Sequence, residues 1–223
     1  MTDTYPTLAV RVWGDLACFT RPEMKVERVT YPVMTPSAAR GVLEAIFWKP
    51  EFRWRVEEIW VLRPIRYFSI LRNEVYHRQS ERTAVAWQQE GGGYDATSTD
   101  APKNRTQRHT LALREVAYLI KAQIVLRSHA DANPAKYRDQ FRRRMADGRC
   151  FATPFLGCRE FSASFGEPAG DERPINLSDT LGPMLLDLDY APGRSGRGTP
   201  RFFDAELAAG VLRVPPRPMP VEV

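Results

Sequence analysis

The stretch NPAKYRDQFRRRMADGR, residues 133–149, can bury only one stripe of itself. Tyr137, Phe141 and Met145 recur every four residues and fall on a single helical face. Lys136, Arg138, Arg142, Arg143 and Arg144 cover much of the remainder. Asn133 suits the cap, Pro134 the first helical position and Gly148 the stop. Such a helix can pack its stripe on a sheet and still present a row of phosphate-binding side chains. That row makes RNA or DNA the first partner to consider.

The rest of the charge supports this reading. Residues 1–100 carry 13 basic and 13 acidic groups, residues 101–160 carry 13 and 5, and residues 161–223 carry 6 and 9. A cationic block therefore lies between two segments without one, and its excess of Arg over Lys suits phosphate binding and base stacking. Forty-three per cent apolar content in 223 residues suffices for a real core. Cys18, Cys150 and Cys158 are odd in number and widely spaced. Without a signal peptide they read as reduced thiols of a cytosolic protein, each serving as a small apolar residue. No run approaches the ~18 apolar residues of a membrane span.

Leu8, Val10 and Val12 alternate with Ala9, Arg11 and Trp13 in a strand near 6–13. Residues 26–33 are weakly extended. Thr35-Pro36 opens a helix that buries Ala39, Val42, Leu43, Ile46 and Phe47 and ends at Pro50. Phe52, Trp54 and Val56 form a second strand, continuing through a bulge to Ile59 and Val61. Residues 65–71 and 116–126 are extended, the cationic helix follows, and a last strand falls around 156–165. Residues 80–106, with Gly91-Gly92-Gly93, read as a flexible insertion. The order strand, helix, strand, strand, helix, strand predicts an α+β, ferredoxin-like (RNA-recognition-motif-like) domain over 1–165, with one sheet face free for RNA. Pro and Gly cluster beyond it. Short apolar runs at 183–190, 201–207 and 210–214 predict a small antiparallel β-rich extension over 166–223.

Metal and cofactor chemistry find little support. His77, His109 and His129 stand apart from any carboxylate or Cys cluster, and no phosphate-binding loop, dinucleotide fingerprint or nucleophile elbow occurs. A metal-free reaction on RNA fits the residue types present. A 2′-hydroxyl attacks the adjacent phosphate in line, leaving a 2′,3′-cyclic phosphate and a 5′-hydroxyl. The protein then has to align the nucleotide, move a proton and offset negative charge. Lys136 and Tyr137 place an ammonium and a phenol at a positive helix end. By spacing alone, Tyr137 can equally belong to the apolar stripe and Lys136 to the solvated face.

Four stretches carry a family resemblance: VRVWGDLACFTRPEMKVERVTYPV at 10–33, GVLEAIFWKP at 41–50, QRHTLALREVAYLIKA at 107–122 and FLGCREF at 155–161. Together they resemble the d branch of CRISPR-associated Cas protein family five, from type I-C systems, over roughly residues 6–165. The resemblance implies a metal-independent endoribonuclease without cofactor. It would cut the repeat of a precursor CRISPR RNA at the base of its hairpin, keep the 5′ handle and join an interference complex beside a large subunit and a repeated backbone subunit. The family pattern places a Tyr before WKP and a Lys-His pair at the opening of the second helix. Here these positions hold Phe47, Lys136 and Tyr137, so one of the three is kept. Tyr31, Tyr67 and Tyr76 are alternative phenols. Arg108, Arg138, Arg142, Arg143 and Arg144 are the expected phosphate contacts, Arg53 and Arg55 line the RNA path, and Trp13, Trp48 or Trp54 could stack a base. Two other readings stay open: a handle-binding subunit without turnover, and weak duplex DNA binding through the same cations.

Overall fold

The computed structural model describes residues 5–75, 80–91, 105–131, 133–190 and 198–216. Its elements are β1 (Leu8–Ala17), β2 (Arg28–Val29), α1 (Pro36–Ile46), β3 (Phe52–Val61), β4 (Tyr67–Val75), α2 (Glu81–Glu90), β5 (Arg105–Leu126), α3 (Pro134–Ala146), β6 (Ser164–Gly166), β7 (Asp179–Tyr190), β8 (Gly198–Ala208) and β9 (Val211–Arg213). All nine strands join one sheet in the order β6-β1-β5-β3-β9-β8-β7, with β2 and β4 paired to β5 off this path. Every pairing is antiparallel except β2 with β5. Among the described residues no helix is long and apolar enough to cross a membrane.

The alternation in β1 and β3 is the pattern of strands buried on one face. In β3 the buried set is Phe52, Trp54 and Val56, then Ile59 and Val61. The change of parity coincides with a register shift against β5 between Val56 and Glu58, the expected bulge. Helix α1 starts where Thr35 accepts from the Ala38 amide with Pro36 beside it, and its stripe Ala39, Val42, Leu43 and Ile46 is buried. Helix α3 is capped by Asn133, whose Oδ1 accepts from the Ala135 amide at 2.9 Å. The expected stripe Tyr137, Phe141 and Met145 is buried.

Strand β5 has two unlike halves. Residues 113–126 lie between β1 and β3 and carry the buried Tyr118, Ile120, Ala122 and Ile124. Residues 105–113 pair with β4 and form an arm. Tyr67, Phe68, Leu71 and Val75 of that arm are 44–52% exposed. Glu115, at the junction, has φ 54°, a left-handed kink rare outside glycine.

Several expectations need correction. The second extended stretch near 116 begins eleven residues earlier, at Arg105. The stretch at 65–71 lies at 67–75, and the extended 26–33 is a strand only at Arg28–Val29. The insertion at 80–106 is not uniformly irregular: residues 81–90 form α2, capped by Ser80 and ended by Gly91 in the left-handed conformation, with no buried residue. Residues 92–104, including Gly92-Gly93, lie outside the described residues, as do Tyr76 and His77. The last strand, expected around 156–165, is only β6. Residues 155–162 instead make a tight turn closed by a Phe155–Ser162 bridge, and Leu156 O accepts from the Cys18 amide at 3.0 Å. There Gly157 has φ +84°, and a Cβ would lie 2.1 Å from Cys18 O. The C-terminal hairpin β7-β8 does not stand apart: β9 pairs with both β8 and β3 and continues the sheet. The thiols differ from expectation too. Cys18 is buried, but Cys150 is exposed and Cys158 Sγ lies 3.7 Å from the Arg28 guanidinium.

Candidate nucleic-acid interface

The end of α1, the start of β3 and the first turn of α3 meet around one ring. Phe52 packs against Phe47 at 5.3 Å and against Tyr137 at 5.3 Å, centroid to centroid. Trp54 stands edge-on to Phe141 at 4.8 Å, and its Nε1 donates to Phe47 O at 2.9 Å. The structure thus brings together Phe47 and Tyr137, two positions 90 residues apart in sequence, through a third aromatic that the sequence marks only as strand core.

Lys136 is exposed in the first turn of α3, where its backbone amide donates to Asn133 O. The N-terminal end of the helix dipole adds positive potential there. Tyr137 is 3% exposed. Burial, then the Glu51 and Asp131 carboxylates, hold its phenol above the ordinary value. It therefore stays protonated at neutral pH. One Glu51 carboxylate oxygen, Oε2, is itself buried without a hydrogen-bond partner. Neither Glu51 nor His129, whose Nε2 lies 3.2 Å from Pro50 O, carries a sequence signal. Each gains significance only because α3 and the turn before β3 converge.

The arginines divide. Arg143 and Arg142 are exposed on α3, with Arg142 paired to Asp139 at 3.2 Å. Arg144 lies over the Phe47 ring and donates to Ile46 O at 3.3 Å. Arg138 does not join the expected row. It is 2% exposed, and its guanidinium donates to Gln123 Oε1 and Pro6 O and covers the Tyr5 ring. Its sequence position, next to Tyr137, puts it on the edge of the buried stripe. Arg108 sits on the arm, not beside α3, and donates to Glu74 at 3.1 Å. There Arg28, Arg72 and Arg108 share two carboxylates, Glu74 and Glu160.

Arg53 and Arg55 line a cleft of about 420 Å³ between α1, the starting half of β3, the end of β5 and the β7 strand. Phe52 and Trp54 form part of its floor, and Trp48, Arg40 and Arg127 also border it. Of the three tryptophans, Trp54 is buried at 4%, Trp13 lies under Arg11, and Trp48 is 48% exposed. On the strand face that the sequence reading left for RNA, Lys121 covers Trp60 at 3.7 Å. The alternative phenols lie elsewhere: Tyr31 is fully buried, and Tyr67 belongs to the arm. Among the described residues no three His, Cys, Asp or Glu side chains converge to hold a metal.

Residues 7–215 match the family described as CRISPR-associated protein (Cas_Cas5), in its Cas5d branch. The chain is 48% identical over 223 residues to a protein of Thermus thermophilus named CRISPR pre-crRNA endoribonuclease Cas5d, covering 93% of this chain and 91% of the relative. It is 44% identical over 219 residues to a protein of the same name from Mannheimia succiniciproducens, covering 94% and 95%. A solved structure described as a CRISPR-associated protein superposes with a TM-score of 0.65 at 22% identity, covering 93% of this chain and 91% of the other. That last likeness bears on the fold alone.

Proposed function

The chain belongs to the Cas5d family of CRISPR-associated proteins, and from that premise we propose that it is a metal-independent endoribonuclease that matures CRISPR repeat RNA. What carries this reading is the near-full-length likeness to two proteins named pre-crRNA endoribonuclease. It is joined by an exposed lysine on a capped, positive helix end beside a protonated phenol.

Residues 1–165 are the ferredoxin-like processing unit in this reading. The run β1, α1, β3, β5, α3, β6 supports the label, because its strands lie fourth, first, third, second across the sheet. Residues 166–223 are the extension that widens that sheet. In the reaction the 2′-oxygen attacks phosphorus as its proton passes to solvent water, and the bond to the 5′-oxygen breaks as that oxygen takes a proton back from water. Lys136 offsets the charge gathering on the non-bridging oxygens. Tyr137, held protonated, donates a hydrogen bond and does not act as a base. Arg142, Arg143 and Arg144 hold phosphates next to it, and Arg53 and Arg55 line the path of the strand. Arg138 supports the helix from below, and Arg108 braces the arm. The retained 5′ handle makes the protein a cytoplasmic subunit of a type I-C complex, beside a large and a backbone subunit. The exposed apolar residues of the arm support such docking.

Incubation with hairpin repeat RNA in EDTA, with both product ends mapped, tests this. The expected products are a 2′,3′-cyclic phosphate and a 5′-hydroxyl, and a 2′-deoxy nucleotide at the cut should block cleavage. Phe47 and the raised Tyr137 phenol motivate a second reading, a subunit that grips the handle without turnover. Under it Lys136→Ala changes affinity and no rate is measurable. The phosphate contacts also give some duplex DNA affinity, which should fall well below that for repeat RNA in a competition titration near physiological salt.

A further inference from the structure

We propose that the cleft beside Trp48 receives one unpaired nucleobase of the RNA, stacked on the Trp48 indole. The inference rests on the reading above and adds a specificity-determining residue to it.

Three observations carry it. First, Trp48 is 48% exposed, whereas Trp54 is buried and Trp13 is capped by Arg11. An indole left half in water next to a cleft is an unfilled apolar surface. Second, its support is rigid. Trp48 follows Phe47, whose ring lies under Arg144 and whose carbonyl accepts from Trp54 Nε1. A stacking platform whose base is already fixed loses little further freedom on binding. Third, the cleft has the right chemistry. Its volume of about 420 Å³ lies within the ~300–1,000 Å³ of small-ligand sites. Arg53, Arg127 and Arg55, the last paired to Glu57 at 3.0 Å, border it, so a phosphate at the rim meets a cationic edge. Arg40 is held between Glu44 at 2.8 Å and Asp187 at 2.7 Å, which makes that wall of the cleft polar and fixed. An aromatic platform with a cationic rim is the arrangement that binds single-stranded nucleic acid.

The cleft also abuts the cutting site. Phe52 lines it and touches the rings of both Phe47 and Tyr137. A base held on Trp48 would fix the strand beside that site and set the register of the cut.

The test places 2-aminopurine, in turn, at each unpaired position flanking the hairpin of a 2′-deoxy-blocked repeat RNA bound to the full chain. Stacking on an indole quenches its fluorescence. The expected result is strong quenching at one position with the wild type, restored emission with Trp48→Ala and retained quenching with Trp48→Phe. Trp48→Ala should weaken binding roughly tenfold, and substitution of that one nucleotide should cost the wild type more than it costs the variant. If repeat RNA binds but no position depends on Trp48, this proposal is overturned and the endoribonuclease reading stands. If the wild type shows no preference for repeat RNA over scrambled RNA, the functional reading fails and takes this proposal with it.

Discussion

Arg108 and Arg143 come from the same cationic block of sequence, and the fold puts them in opposite circumstances. On the arm, Arg28, Arg72 and Arg108 share Glu74 and Glu160, so their charges are spent on holding β2, β4, β5 and the 155–161 turn together. At the other end, Lys136 and Arg143 stand exposed on α3, above an aromatic cluster that buries only the helix stripe. The same residue type is a brace in one region and an open contact in the other. What separates them is whether the neighbouring strand supplies carboxylates, and a count of arginines along the chain does not reveal that.

Three paired substitutions and one single substitution probe this difference. The largest effect should fall on stability. Phe52→Ala removes the ring shared by Phe47 and Tyr137 and should cost ~3–5 kcal/mol, read as a lowered urea midpoint. Leu71→Ala, on the exposed arm, should shift that midpoint by a few tenths of a kcal/mol. Equal shifts would mean the arm is packed after all. Next comes turnover. Lys136→Ala should slow single-turnover cleavage about a hundredfold, whereas Arg72→Ala should leave the bound-state rate near wild type. A third pair concerns salt. Arg143→Ala should reduce the slope of log affinity against log salt by ~0.7–0.9, and Arg108→Ala should leave it unchanged. A slope change at Arg108 would make the arm a phosphate contact and erase the distinction drawn here. The smallest effect is acid sensitivity. Partial burial raises the Glu160 carboxyl, but its backbone hydrogen bond and Arg72 outweigh this and hold it below the ordinary carboxylate value. Its contribution to folding is therefore full above the unfolded value, ~4.3, and is lost as pH falls through the lower folded value. Glu160→Gln should lower the melting temperature at pH 7, by an amount that shrinks progressively as pH falls below ~4.3.

The parts of the fold visible in the sequence are those with a buried face. Helix α3, helix α1 and the bulged β3 follow from apolar spacing, because each buries one stripe or one face. The first half of β5 is not legible because Thr106, Gln107, Arg108 and His109 are all polar and none is fully buried, so no apolar period-two signal exists to read. Helix α2 has no buried residue and was hidden for the same reason. The site divides along similar lines. Lys136 and Trp48 stand beside motifs and could be named in advance. Arg138 is buried and not in the exposed row, and a helical wheel does not show that Pro6 and Gln123 wait beneath it. Glu51 and His129 could not be found at all, since their significance depends on a turn and a helix end meeting across β3 and β5.

That buried arginine also ties Tyr5 and Pro6 to the first turn of α3. Arg138 grips Pro6 O, Gln123 donates to Tyr5 O, and the Tyr5 hydroxyl donates to the Asn133 side chain that caps the helix. A fusion or truncation that tugs on Tyr5 and Pro6 will therefore loosen the cap one turn from Lys136. How the polypeptide is expressed thus becomes an experimental variable in any comparison of turnover.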